Sequence, residues 1–214
     1  MLRVLARENS LINDFLAELR NVNVQTDRAR FRRNIERIGE IMAYETSKHL
    51  SRKLIPITTP LGIHQSNIIE LQPVLATVLR AGLPMHQGFL NYFDQSDCAY
   101  VSAYRKHTNK HDFEIVVEYL ASPDISNRTL ILIDPMLATG RSMYLTYQAL
   151  LSRGKPANII VAAIIASQQG IEFIQKQMPE AKILIGDVDP ELNAESYIVP
   201  GLGDAGDLSF GEKI

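Results

Sequence analysis

Apolar residues along this chain recur at two different periods, and the change of period divides it. In the first third the spacing is helical. Phe31, Ile35, Ile38 and Met42 share one face of a segment over 27–50, Arg30, Arg33 and Arg37 take the other, and Asp27 stands where an N-cap belongs. A shorter helix is predicted over 8–20. Residues 51–70 contain Pro56 and Pro60, with Pro73 close behind, and show no period, so they read as loop with short β pieces. From residue 72 the apolar positions come instead as unbroken runs, at 72–79 (QPVLATVL), 129–133 (TLILI), 157–166 (ANIIVAAIIA) and 182–188. Such runs are what strands buried on both faces look like. Helices predicted over 84–93, 142–153 and 168–178 separate them. Residues 97–104 and 113–120 predict a strand pair around a charged tip, since Phe113, Ile115, Val117 and Tyr119 alternate with Glu114 and Glu118. The expectation is an α/β fold: a mostly parallel twisted sheet flanked by helices, with N-terminal helices and a β-hairpin arm. No repeat, low-complexity tract or linker divides it, so residues 1–214 are read as a single domain.

Composition narrows the classes of function. The 214 residues are 46% hydrophobic and 21% charged, as in ordinary globular proteins. A formal charge of −2 supplies no field to draw the chain onto nucleic acid. Cys98 is the one cysteine and has no internal partner, which suits a reducing compartment. The opening residues interrupt their apolar positions with charge too early for a signal peptide, and no apolar run approaches the ~18 residues that span a bilayer. The expectations are a cytoplasmic protein with no membrane and no nucleic-acid partner.

The strongest local chemistry follows the run at 129–133. Asp134-Pro135-Met136-Leu137-Ala138-Thr139-Gly140-Arg141-Ser142 leads from a strand into a helix. Small residues at a strand's carboxyl end let backbone N–H groups approach an anion, and the helix N-terminus adds partial positive charge. Thr139 and Ser142 can donate hydroxyl hydrogen bonds to the same phosphate, and Asp134 can accept from ribose hydroxyls. The spacing is neither that of a Walker A loop nor that of a dinucleotide fingerprint. A buried strand before a helix capped by Thr139 or Ser142 would leave the same trace without a ligand. A second feature is the glycine-rich stretch Tyr197-Ile198-Val199-Pro200-Gly201-Leu202-Gly203-Asp204-Ala205-Gly206-Asp207, which can fold over a small ligand and offer it backbone N–H and C=O groups. His107 and His111 make an H-x3-H pair, but in a polar loop without a third ligand no metal is expected on protein side chains.

The DPMLATG segment resembles the 5-phosphoribosyl-1-pyrophosphate motif of the type I phosphoribosyltransferases, and more narrowly that of the uracil phosphoribosyltransferases, where Pro135 replaces the second of two adjacent acids. The segment Tyr197–Asp207 resembles that family's uracil-binding tail, and Arg80-Ala81-Gly82-Leu83 resembles its Arg-Ala-Gly loop. Weaker similarity runs from about residue 25 onward. The resemblance implies the type I phosphoribosyltransferase fold with a C-terminal base-binding hood. It implies a glycosyltransferase of pyrimidine salvage that moves the phosphoribosyl group to N1 of uracil, giving UMP and pyrophosphate. Phosphoribosyl pyrophosphate is then expected at Arg80, Ala81, Gly82, Arg105, Asp134, Pro135, Met136, Leu137, Ala138, Thr139, Gly140, Arg141, Ser142 and Asp204. Uracil is expected at Tyr197, Ile198, Gly203, Asp204 and Ala205, with Asp204, Arg105 and Asp134 closest to the chemistry. Mg²⁺ is the implied cofactor, GTP an implied effector, and a homodimer or higher homo-oligomer the implied assembly. Arg141, Pro84 and Leu208 depart from the family's usual residues; Arg141 either points outward or adds a phosphate contact. Two rivals stand beside this reading. One is a relative that uses another base; the other is a non-catalytic regulator that senses nucleotides or binds RNA through the Arg28–Arg37 helix.

Overall fold

The computed structural model describes residues 1–107 and 113–212, with side chains described outside 103–118. Its elements run β1 (Leu2–Val4), α1 (Leu11–Arg20), α2 (Arg28–Ser47), β2 (Arg52–Thr59), β3 (Gly62–Ile69), β4 (Val74–Leu79), α3 (Leu83–Leu90), β5 (Asp97–His107) and β6 (Phe113–Ala121). They continue as β7 (Thr129–Ile133), β8 (Met136–Leu137), α4 (Arg141–Leu150), β9 (Asn158–Ser167), α5 (Gln168–Gln177), β10 (Lys182–Asp189), β11 (Glu191–Leu192), β12 (Ile198–Val199) and α6 (Ala205–Phe210).

The central sheet has the order β1-β10-β9-β7-β4-β5-β6, with β8 also on β9. Every pairing in it is parallel except β5 with β6. The unbroken apolar runs are explained by packing on both faces. On β9, Ile160, Ala162 and Ile164 point into a core shared with α1, α2 and α3, while Ile159, Val161 and Ala163 point into a second core shared with α4 and α5. On β7, Ile131 and Ile133 go to the first core, Leu130 and Leu132 to the second. A mostly parallel sheet covered by helices was the expectation, and it is what the chain forms.

Three elements differ from it. Residues 51–70 are not loop but an antiparallel hairpin, β2 with β3, paired from Arg52↔Ile69 to Thr59↔Gly62. Nearly all of its residues are exposed, so neither face carries the alternation by which a strand is normally recognised. β1 adds a short parallel edge strand, Leu2↔Ile183 to Val4↔Ile185, where no element was expected. The glycine-rich stretch closes in the helix α6 rather than in loop throughout. The expected hairpin arm at 97–104 and 113–120 is a longer antiparallel extension of the main sheet, and its tip lies outside the described residues.

The cap on α2 is the one the sequence suggested, with Asp27 Oδ1 accepting from the Ala29 and Arg30 N–H groups at 3.0 and 3.1 Å. Where α2 crosses α3, two glycines let the backbones touch. A Cβ on Gly88 would stand 2.1 Å from Glu36 O and 2.9 Å from Gly39 Cα. Gly88→Ala is therefore expected to destabilise the fold by about 1–3 kcal/mol, the usual cost of overpacking. A lower denaturant midpoint with an unchanged m-value checks this.

Candidate active site

Parallel strands leave their carboxyl ends on one edge, and the candidate residues collect there. β7 ends at Ile133, and Asp134 still pairs with β9 through its N–H to Ala162 O, 3.2 Å. Pro135 has no N–H to satisfy, and its carbonyl accepts from both Ile164 and Ile165 N–H groups, at 3.1 and 3.0 Å. This step shifts the chain into β8, which pairs with β9 beyond it. Asp134 Oδ1 accepts from the Met136 N–H at 3.3 Å.

The turn into α4 is fixed from outside. Ser167, at the end of β9, donates its hydroxyl to Ala138 O at 2.6 Å and accepts from the Gly170 N–H at 2.9 Å. A Cβ on Gly170 would meet Ala138 O at 2.3 Å, so α5 begins directly against the loop. Gly140 is the N-cap of α4 at φ 75°, where only glycine sits without strain, and no side chain caps that helix. Thr139 Oγ1 accepts from the Arg141 N–H at 3.4 Å. A helix start whose N-cap residue, Gly140, has no side chain, with Thr139 meeting only the Arg141 N–H, is an anion cradle in geometry as well as in pattern.

Two further segments close the site. From the end of β4, Leu79 and Arg80, joined by a cis peptide, lead through Ala81 into α3. β11 and β12 form a small antiparallel ribbon whose turn is organised by Asn193 Oδ1, which accepts from the Glu195 and Tyr197 N–H groups at 3.1 and 2.8 Å. Beyond it, Asp204 caps α6 by accepting from the Gly206 and Asp207 N–H groups at 2.8 and 2.9 Å. The ribbon and α6 are held by the N-terminal helices. Arg20 forks onto both oxygens of buried Asp189 (2.8 and 2.9 Å) and bonds Gly201 O at 3.0 Å; Gln25 Nε2 reaches Leu202 O at 3.1 Å.

Between these segments lies a cavity of about 480 Å³. Among the expected residues, Arg80, Ala81, Asp134, Met136, Leu137, Ala138, Thr139, Gly140, Ser142, Tyr197, Gly203, Asp204 and Ala205 line it. Gly82, Pro135, Arg141 and Ile198 do not. Gly82 is a packing position, where a Cβ would stand 2.1 Å from Thr77 Oγ1. Ile198 is buried in the first core, and Arg141 is exposed at the start of α4. The side chains of Arg105 and His107, and His111 altogether, lie outside the described residues. Val78, Leu79, Met143, Glu195, Ser196 and Gly206 also line the cavity and were not foreseen. Only the Asn193–Ser196 turn had left a signal, in its cluster of turn-forming residues. No group of three or more metal-ligating side chains forms among the described residues.

The electrostatics of the cavity centre on Asp134. Burial pushes its carboxyl up from 3.8 to about 7; the Met136 N–H pulls the other way, and the nearby Asp204 charge adds to the rise. Two acids thus face one cavity and repel each other.

A parallel sheet with an anion cradle and paired acids at its carboxyl edge marks the class of α/β proteins whose ligands bind at that edge. Within that class the comparisons are specific. The family profile for uracil phosphoribosyltransferase matches residues 6–212, and on that match the chain belongs to the uracil phosphoribosyltransferase family. A uracil phosphoribosyltransferase of Porphyromonas gingivalis is 55% identical over 211 residues, covering 98% of both chains. One of Methanococcus vannielii is 36% identical over 208 residues, 96% of this chain and 88% of its own. The solved structure of the AQ2163 protein from Aquifex aeolicus superposes with a TM-score of 0.87 at 26% identity, covering 99% of this chain and 98% of its own. The chain is accordingly a transferase, and the family's reaction is the transfer of phosphoribose from phosphoribosyl pyrophosphate to uracil, giving UMP.

A carboxyl held near 7 in the fold but titrating at 3.8 when unfolded costs stability as pH rises. The cost is absent below pH 3.8, grows to pH 7 and is constant above. Asp134→Asn is therefore expected to melt higher than wild type at pH 8, by up to about 4 kcal/mol of added stability, with the gain vanishing toward pH 4. Thermal melts of both proteins across that range check the sign.

Proposed function

We propose that phosphoribosyl transfer takes place in the cavity of about 480 Å³, with the cradle over Leu137–Ser142 taking the 5′-phosphate. The observation that carries this is the uncapped start of α4 behind Gly140, set beside Asp134 and Asp204 in one cavity. Asp134 accepts from the ribose hydroxyls. Arg80 and Ala81 take the diphosphate; Arg105, whose side chain lies outside the described residues, is assigned to it by resemblance alone. The backbone at Tyr197–Ile198 and Gly203–Ala205 meets the polar edges of uracil, whose O2 and O4 accept and whose N3 donates. Uracil N1 bonds to the anomeric carbon as the bond from that carbon to pyrophosphate breaks. Charge grows on the ribose ring and the leaving group, so the chain contributes position and electrostatics rather than a nucleophile.

Mg²⁺ fits this site. Asp134 and Asp204 are hard oxygen donors that line one cavity, the donor type that Mg²⁺ takes beside substrate oxygens and water. When bound it offsets the negative charge of the diphosphate. Asp204 holds its place as the cap of α6, and its carboxylate borders both the base and the ribose positions.

The RNA-binding or regulatory alternative loses its surface. Arg30 bonds Glu18, Arg33 pairs with Glu36, Arg32 donates to Ser209 O and Arg37 lies over Phe15, so these arginines of α2 have intramolecular partners. No described helix is long and apolar enough to cross a membrane, and a cytoplasmic setting remains part of the proposal. The exposed hairpin β2–β3 presents Leu54, Leu61 and Ile63 at 69%, 100% and 74% exposure, a surface that a second copy would cover. Paired Leu61→Glu and Ile63→Glu substitutions are expected to lower the mass seen by light scattering.

The assay is UMP formation from radiolabelled uracil, phosphoribosyl pyrophosphate and Mg²⁺, with cytosine, hypoxanthine and orotate in parallel and GTP added to test the effector. Turnover with uracil alone is expected; turnover with another base, or none, overturns the assignment. Asp204→Asn keeps a good N-cap, so the melting temperature should hold while turnover falls on the order of 10²-fold. Unchanged kinetics would remove Asp204 from the site.

A further inference from the structure

Arg80 lines the cavity, but what holds it there lies on the other side of the wall. Its Nη2 donates to Asp207 Oδ1 and to Gly211 O, both at 3.1 Å, one acceptor near the start of α6 and one just past its end. Asp207 does not line that cavity. It borders an adjoining opening of about 430 Å³, lined also by Gln25 and Arg28, which meets the cavity at Gly203 and Asp204. The backbone N–H of the same residue donates to Asp204 Oδ1 at 2.9 Å. Asp207 therefore binds two of the charged residues that line the cavity, Arg80 through its carboxylate and Asp204 through its amide, without lining the cavity itself.

We infer that Asp207 is a positioning residue for the diphosphate site: its carboxylate orients the Arg80 guanidinium toward the cavity. This rests on the reading of the cavity given above. An arginine on a strand-end loop has several rotamers, and a ligand must otherwise meet the entropy of fixing one of them. With Nη2 committed to two acceptors, the guanidinium plane is set before the ligand arrives. Among the described residues the buried Arg80 Nε has no hydrogen-bond partner. Anchoring of α6 is a different task and has its own residue, since Arg32 Nη1 donates to Ser209 O at 2.6 Å without touching Arg80.

Those two ties separate the possibilities. Asp207→Asn, nearly isosteric but uncharged, keeps a neutral acceptor and loses the ion pair with Arg80, and is expected to raise the KM for phosphoribosyl pyrophosphate several-fold, up to about tenfold. The KM for uracil should stay within about twofold. Arg32→Gln, which loosens α6 alone, should leave the KM for phosphoribosyl pyrophosphate within about twofold as well. In the double variant Arg80→Lys with Asp207→Asn, the second change should add little to the first, because Asp207 acts through Arg80. A KM for phosphoribosyl pyrophosphate that is unchanged or lower in Asp207→Asn overturns the inference, since Asp207 would then only compete with the ligand for Arg80. An equal rise in Arg32→Gln overturns it too, by making helix anchoring the cause. If Asp207→Asn does not fold, Asp207→Ser carries the same expectation. Failure of the underlying reading is separately visible, because wild type would then form no UMP in the same assay.

Discussion

The strands β4, β7 and β9 are buried on both faces, and the rest of the molecule follows from that constraint. Helices α1 to α3 cover one side and α4 and α5 the other, so the middle of the sheet has no place for a group that must meet water or a charged ligand. Thr77 is a buried exception on β4, and its hydroxyl is satisfied by Ile133 O at 3.2 Å. Polar chemistry is pushed to the strand ends. Because the strands are parallel, those ends fall on one edge. β4 gives way to Arg80, β7 to Asp134, β9 ends at Ser167 and β10 at Asp189. The first two face the cavity, while the last two build its supports, Ser167 under the phosphate loop and Asp189 under the hood.

The hood is the part least able to stand alone. Its helix α6 has six residues, far below the ~12–15 at which an isolated helix becomes marginal in water. Ile198, Leu202 and Ala205 bury against the first core, and polar ties do the aiming. The Arg20–Asp189 fork also fixes Gly201, since Asp189 Oδ2 accepts the Gly201 N–H at 3.0 Å and Arg20 meets the Gly201 carbonyl. A nearly buried ion pair of this kind adds little net stability against its desolvation, but it permits few alternative arrangements. The N-terminal helices thus act on the cavity at a distance, by deciding where the backbone at Gly201–Leu202 can lie.

This division explains which features could be read from the chain. β7 was legible to the residue, and β9 and β10 nearly so, because burial on both faces leaves an unbroken apolar run. The hairpin β2–β3 was not, because a strand pair with no buried face has no pattern to display, and Pro56 within it reads as a breaker. α6 was missed because Gly206 and a six-residue length hide a helix whose cap, Asp204, looked like a ligand residue only. In the site, the cradle at Asp134–Ser142 and the glycine-rich tail could be read from chemistry, whereas Arg80 entered only through resemblance. Motif membership also proved broader than lining. Gly82 and Pro135 belong to their segments for backbone reasons, one to clear Thr77 and one to turn the chain from β7 to β8. Val78, Leu79 and Met143 could not be anticipated, since an apolar side chain joins a cavity wall only when the fold has brought it there.

The site is also where local stability is given up. The Asp134 carboxyl is half-buried in the cavity wall, close to Asp204, and supported by one N–H, so its charged form is disfavoured and it titrates at about 7. A well-packed fold without a ligand to bind would place an apolar or amide side chain there. On the proposed assignment, a ribose brings hydroxyl donors to that carboxylate, and a cation near the diphosphate offsets the repulsion from Asp204. Each favours the ionised form, so substrate binding and loss of the Asp134 proton are coupled. The acid whose charge weakens the fold is then one that the ligand's donors favour, so the same carboxyl links stability to substrate binding.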